Sequence, residues 1–299
     1  MKSSKSLYST CFDEYRLSEE TQKRLQSELF LMLKDIKSVC DEYGIDYMLS
    51  GGTMLGAVRH QGFIPWDDDI DLMMLRSEYE KFAEKFRSAF PEKYVVAEPL
   101  SDPRYLSKMV KIYKRGTTYI EIPTAGVGGM DMIFVDVFII ENVPAPGLRR
   151  KLKALLYDTA FKASSLCIDY LYPSPVIEEK ARENRELDEY YKFRKRLGAV
   201  FAHLGGIRFY LRLCERLARQ KKKTGWYGIP SAISYSREIF PCEEFESLAT
   251  ASFCGCEMKI PKDYDSYLKN LYGNYLVPPP PEKREIHSAY KISFDSEKG

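Results

Sequence analysis

Between Leu49 and Leu75 the chain reads LSGGTMLGAVRHQGFIPWDDDIDLMML, which sets a glycine pair one short helix upstream of four aspartates. Asp67, Asp68, Asp69 and Asp71 sit among residues suited to a strand: Ile64, Trp66, Ile70, Leu72, Met73 and Met74. Carboxylates grouped beside apolar surface repel one another and are costly to desolvate, and a bound divalent cation would remove both penalties. Side chains alternate along a strand, so Asp67, Asp69 and Asp71 are predicted on one face, with Asp68 and Ile70 on the other. Hard oxygen donors in such a group suit Mg²⁺ or Mn²⁺ carrying the phosphates of a substrate. Acidic runs are more often solvated turns or helix caps. The apolar flanks and the upstream Gly51-Gly52 set this one apart, because paired glycines let backbone N–H groups approach a phosphate and a following helix start adds a favourable dipole.

The elements that must position these residues follow from periodicity. Leu17 to Tyr43 carries apolar residues at helical spacing, with Ser18 as a start and Gly44 as a stop. Ile45–Leu49 reads as a short strand and Thr53–Arg59 as a short helix, with Gln61-Gly62 and Pro65 turning the chain into the acidic strand. Ser77–Phe90 is again an amphipathic helix, ended by Pro91. Strands are predicted around Tyr94–Ala97, Lys108–Tyr113, Tyr119–Ile122 and Met132–Ile140. The last, MIFVDVFII, is apolar apart from Asp136. A lone carboxylate there is explained if its strand lies beside Asp69–Asp71 and Asp136 completes the cation site; the alternative is a core aspartate bonded to backbone or arginine. With no partner, Asp136→Asn is expected to preserve or raise stability.

Bulk properties exclude several classes. The 299 residues can bury a full core, while a net charge of +2 and 29% charged residues give no global field for nucleic acid. A GxxxxGK[ST] phosphate loop is absent from the sequence. The first thirty residues are polar and charged, and no uncharged run approaches bilayer length, so an intracellular, cytoplasmic protein is expected. Seven irregularly spaced cysteines do not suggest a disulfide framework, and Cys242 with Cys254-Gly-Cys256 reads as free thiols more readily than as a zinc site. Residues 148–223 are helical in pattern and rich in Lys and Arg; their basic faces suit an anionic lipid surface, a phosphorylated acceptor or plain solvation. The chain therefore divides into a core over 1–145, a helical basic lobe over 146–225, and a segment over 226–299 that completes the core.

The block GGTMLGAVRHQGFIPWDDDIDLMM resembles the LicD family, phosphocholine transferases related to fukutin. KMVKIYKRGTTY at Lys108–Tyr119 with Met132–Asp136, and the C-terminal IPKDYDSYLKNLYGNYLVPPPPEKR, are similar to it as well. The resemblance implies an α+β, nucleotidyltransferase-like fold: a mixed sheet flanked by helices, with a mainly helical insertion. It implies transfer of a phosphorylated group, such as phosphocholine from CDP-choline, to a sugar hydroxyl of a cell-surface glycan or lipid-linked precursor (lipopolysaccharide or teichoic acid), with CMP released. Asp69 and Asp71 are then the metal pair, with Asp67 and Asp136 as further ligands. Asp136 can instead serve as proton acceptor. Gly51 and Gly52 hold phosphate, and Arg59, His60, Lys108 and Lys111 are the cationic candidates around it. Arg284 and His287 follow in the tail. CDP-ribitol or CDP-glycerol as donor, or a non-catalytic glycan-binding scaffold, are the rival readings.

Overall fold

The computed structural model describes residues 11–280, 284 and 288–294. Helix α1 (Glu19–Tyr43) has the ends its sequence predicts. The Ser18 hydroxyl accepts from Thr21 N at 3.1 Å, and Gly44 closes the helix at φ +63°. Leu25, Leu29, Met32, Leu33, Ile36 and Val39 form its buried stripe, each contributing about 1.5–3 kcal/mol on full burial. There follow β1 (Met48–Leu49), α2 (Gly51–His60), β2 (Asp71–Leu75), α3 (Arg76–Ala89), β3 (Tyr94–Ala97), β4 (Val110–Lys114), β5 (Thr118–Glu121) and β6 (Phe134–Asn142). The helices α4 (Leu148–Leu171), α5 (Pro175–Glu183), α6 (Arg185–Leu204) and α7 (Gly206–Ala218) come next. The chain then returns through β7 (Trp226–Gly228), β8 (Ile239–Pro241), α8 (Glu243–Glu246), β9 (Leu248–Phe253), β10 (Cys256–Pro261), α9 (Tyr264–Tyr272) and β11 (Ala289–Ser293).

The architecture is α+β, as expected. The main sheet runs β1-β2-β6-β4-β3, with β7 joined to the far end of β6 and β8 to β7. Strands β2 and β6 are parallel, and the other pairs are antiparallel. Strand β6 is the centre of the sheet, and its near-continuous apolar run reflects burial on both faces. A hairpin of β9 and β10 and a β5–β11 pair stand beside the sheet. Helices α4 and α7 share a separate apolar cluster of Ala154, Tyr157, Ala160, Cys167, Leu211 and Cys214. Helix α6 crosses α4 so closely that a Cβ at Gly198 would meet the Leu166 carbonyl at 2.0 Å.

The acidic segment departs from expectation. Residues 64–70 are not a strand: a turn at Pro65-Trp66 leads into irregular backbone, and β2 begins only at Asp71. Helix α1 explains how this is tolerated. Gln22 and Gln26 donate to the Asp67 carbonyl at 3.1 and 2.7 Å, and Gln22 also reaches the Pro65 carbonyl at 3.2 Å. Side chains therefore supply the hydrogen bonds that a neighbouring strand would otherwise have made.

Among the described residues none of the seven cysteines is in a disulfide. Among the described residues no helix is long and apolar enough to cross a membrane.

Candidate active site

Both backbone groups of Asp71 are tied to the start of α2. Its N–H donates to Thr53 Oγ1 at 2.9 Å, and its carbonyl accepts from Ser50 N at 2.9 Å. The carboxylates then lie against the glycines. A Cβ at Gly51 would stand 2.9 Å from Asp71 Oδ2, and one at Gly52 would stand 2.9 Å from Asp67 Oδ2. Gly51 also sits at φ +49°, a conformation that disfavours side chains. The sequence expectation gave the glycine space to a substrate phosphate. In the structure Asp71 and Asp67 border that space, at the positive end of the α2 dipole.

Asp71 pairs with Asp136 across the parallel β2–β6 ladder, and Asp136 pairs with Lys111 across the antiparallel β6–β4 ladder. Directly paired residues point to the same side of a sheet. Asp71, Asp136 and Lys111 therefore form one row across three strands. Lys111 Nζ stands 3.4 Å from Asp136 Oδ1, 3.5 Å from Glu121 Oε2 and 3.2 Å from the centre of the Phe134 ring. Asp136 is 8% exposed, and its Oδ1 has no hydrogen-bond partner beyond this ion pair. Burial pushes the Asp136 carboxyl above the ordinary range, opposed by Lys111 and reinforced by Glu121 and Asp69. Burial works against the Lys111 charge too, but Asp136 and Glu121 outweigh it and hold the ammonium above its usual value. The expectation placed Asp136 in the cation site, with a backbone or arginine partner as the alternative; in the structure its partner is Lys111.

The remaining acids divide as the sequence suggests, despite the lost strand. Asp68 is buried and accepts from Tyr119 at 3.2 Å. The Asp69 charge adds to the rise of the Asp136, Tyr119 and Tyr272 groups, behind burial and nearer charges. Helix α9 closes the other side of the glycine turn. Tyr267, 1% exposed, accepts from Gly51 N at 3.2 Å, shares a 3.0 Å hydrogen bond with Ser50 Oγ, and donates to Glu238 Oε2 at 2.8 Å. The Tyr272 hydroxyl lies 3.7 Å from the Gly51 Cβ position, and burial together with Asp71 and Asp67 pushes its phenol up. Arg284 stacks over Trp66 at 4.0 Å, beside Asp67. His287 lies outside the described residues.

Other predicted residues are not brought to the row. Arg59 and His60 end α2, about 12 Å along its axis from the glycines. Arg59 donates to the Tyr275 carbonyl at 2.7 Å, and burial lowers both its proton affinity and that of His60. Lys108 precedes β4 on the side of Val110, opposite to Lys111. It donates to the Ala232 carbonyl at 2.6 Å and lies 3.6 Å from the Phe161 ring, lining a cavity of about 120 Å³ with Glu141 and Tyr157. Tyr119, Glu121, Glu238, Tyr267 and Tyr272 were not singled out in the sequence, although Tyr119, Tyr267 and Tyr272 fall within the blocks quoted above. Among the described residues, no group of three His, Cys, Asp or Glu side chains is arranged to hold an ion.

The mixed sheet carries a glycine pair that opens a helix, with an acid pair on adjacent strands beside it. The sequence model of the LicD/FKTN/FKRP nucleotidyltransferase domain matches residues 44–126, which hold the glycines and the four clustered acids. The lipopolysaccharide cholinephosphotransferase LicD of Haemophilus influenzae is 28% identical over 253 residues, covering 84% of this chain and 89% of its own. The ribitol 5-phosphate transferase FKRP of Homo sapiens is 49% identical over 37 residues, covering 12% of this chain and 8% of its own. An uncharacterized Rickettsia typhi protein is 42% identical over 64 residues, covering 21% of this chain and 19% of its own. Over residues 44–126 the chain is similar to this family's nucleotidyltransferase domain, and over most of its length it is similar to the Haemophilus influenzae cholinephosphotransferase.

Proposed function

We propose that this protein transfers a phosphorylated group, phosphocholine first among the candidates, from a CDP-linked donor to a sugar hydroxyl of a glycan or its lipid-linked precursor, releasing CMP. The observation that carries the reading is the row Asp71–Asp136–Lys111 set beside the start of α2. The similarity to a cholinephosphotransferase over 84% of this chain supports the head group.

The residues fit a hard divalent cation. Their donors are carboxylate oxygens, and those of Asp71 and Asp67 stand side by side at the start of α2. Mg²⁺ is commonly held by one or two carboxylates plus substrate phosphates, so a closed cage of three protein ligands is not required. Asp69 and Asp71 would hold Mg²⁺ or Mn²⁺, with Asp67 beside them. The ion when bound would neutralise the charge of the donor diphosphate.

The chain's own groups do the rest. Asp71 and Asp67 are fixed against the helix start by the Gly51 and Gly52 contacts. Lys111 already balances the charge of Asp136, which makes Asp136 better suited to take the acceptor hydroxyl proton at Oδ1 than to bind metal. Its raised proton affinity serves that role. Tyr272 would border the donor over Gly51.

The test is incubation of the purified protein with CDP-choline, CDP-ribitol and CDP-glycerol, each with Mg²⁺ or Mn²⁺ and with chelator, while CMP is measured. Release from CDP-choline that stops on chelation is expected. Release from CDP-ribitol alone would move the head group toward that of the FKRP relative. A protein that binds glycan yet releases no CMP from any donor would be a scaffold.

A further inference from the structure

Helix α4 is apolar on two sides. Its inner face, with Ala154, Tyr157, Ala160, Ala163 and Cys167, packs into the helical cluster. On its outer face Leu148, Leu152, Leu155 and Leu156 are 82%, 53%, 64% and 46% exposed. At 3.6 residues per turn these four leucines span about 100° of the helix surface. Isolated exposed leucines need no explanation, but four adjoining ones at a helix start form a patch that water does not favour.

The exposed charges of α4 have one sign. Arg149, Lys151 and Lys162 are exposed on the same helix. Both acids of α4 are turned to internal partners: Asp158 Oδ1 accepts from Tyr235 N at 2.9 Å, and Asp169 is buried against Arg194 at 2.6 Å. Arg150 also turns inward, to the Pro144 carbonyl and the Trp226 ring. What remains outside is leucine flanked by cations, the composition of a helix that lies in a membrane interface.

We infer that the outer face of α4 docks on an anionic lipid surface, with the leucines entering the interface and Arg149, Lys151 and Lys162 facing the headgroups. A second copy of the chain is the poorer occupant. A twofold contact through this face would set the same cations against one another with no acid of α4 to offset them. The surface stands independently of the proposed reaction. Joined to it, the contact would hold the enzyme where a lipid-linked acceptor is presented.

The experiment is co-sedimentation of the full chain with vesicles of phosphatidylglycerol and phosphatidylcholine, or of phosphatidylcholine alone, at low and high salt. Binding to the anionic vesicles that weakens with salt is expected. Changing Leu148, Leu152, Leu155 and Leu156 together to Gln should reduce it at least tenfold. Changing Arg149, Lys151 and Lys162 to Gln should reduce it by roughly a hundredfold, because each juxtamembrane cation contributes severalfold. CMP release from a soluble donor should be unaltered in both variants, so a failed donor assay and a failed vesicle assay are separate results. Equal binding by the leucine variant, or none by the native chain at low salt, would overturn the inference. So would a native dimer in light scattering that the leucine variant converts to monomer, which would assign the face to a second copy.

Discussion

Asp71 and Asp136 stand opposite each other in the parallel β2–β6 ladder, 65 positions apart in sequence and on the same side of the sheet. Strand β6 then passes the row on to Lys111 of β4, so two acids and one cation lie in line. The two acids stand in different surroundings. Asp71 lies against the glycine turn, and Asp136 rests against a buried ammonium.

The acid pair is the first place to test. Asp69→Ala and Asp71→Ala should each lower CMP release by roughly a hundredfold or more, the scale of removing one preorganised electrostatic group. Melting temperatures should stay close to that of the native chain. Near-native turnover in either variant would remove these residues from the reaction.

The buried pair has an unequal dependence on its two members. Lys111→Met strands the Asp136 carboxylate and should cost about 3–5 kcal/mol by chemical denaturation. Asp136→Asn leaves Lys111 with Glu121 at 3.5 Å, so its cost should be smaller, while turnover is lost. The expectation from sequence that this substitution would be neutral or stabilising does not account for Lys111. A double-mutant cycle should show strong coupling between the two sites; additive losses would mean that the pair does not act as one.

The Tyr267 clasp gives a pH-dependent signal. Burial pushes the Glu238 carboxyl up to about 6 from 4.5. A carboxyl that binds its proton more tightly when folded stabilises the fold at low pH. That contribution, about 2 kcal/mol, is complete below pH 4.5 and gone once pH has risen past about 6. Melting curves of Glu238→Gln should therefore lack the decline that the native chain shows across this window. Tyr267→Phe should cost about 1–3 kcal/mol, since it leaves buried Ser50 and Glu238 without the phenol. Parallel pH profiles for the native chain and Glu238→Gln would show that Glu238 does not titrate there.

Lys108 separates the two faces of the sheet. Burial lowers its ammonium to about 8 from 10.5, so the folded state favours the neutral amine and gains stability as pH rises through that interval. Lys108→Met should match or exceed the native stability at pH 7 and keep CMP release within a factor of about two. A large loss of turnover would return Lys108 to the phosphate site.

The sequence by itself determined the local elements and the chemical types. Ser18 and Gly44 mark the ends of α1, the apolar stripe of α1 names its buried face, and the glycine pair and aspartates are contiguous enough to be read directly. These features depend on neighbours a few residues apart. Tertiary structure alone decided the partners. The strand expected over 64–70 gave way to irregular backbone, where Gln22 and Gln26, 45 and 41 positions away, bond the Asp67 carbonyl in place of a strand. Lys108 and Lys111 look alike as cations in one block, yet strand pleating sends them to opposite sides of the sheet. Tyr267 reaches Gly51 across 216 positions. No local periodicity encodes such contacts, because they arise from sheet register and from where a late helix packs, and the surroundings of the carboxylates are set by them.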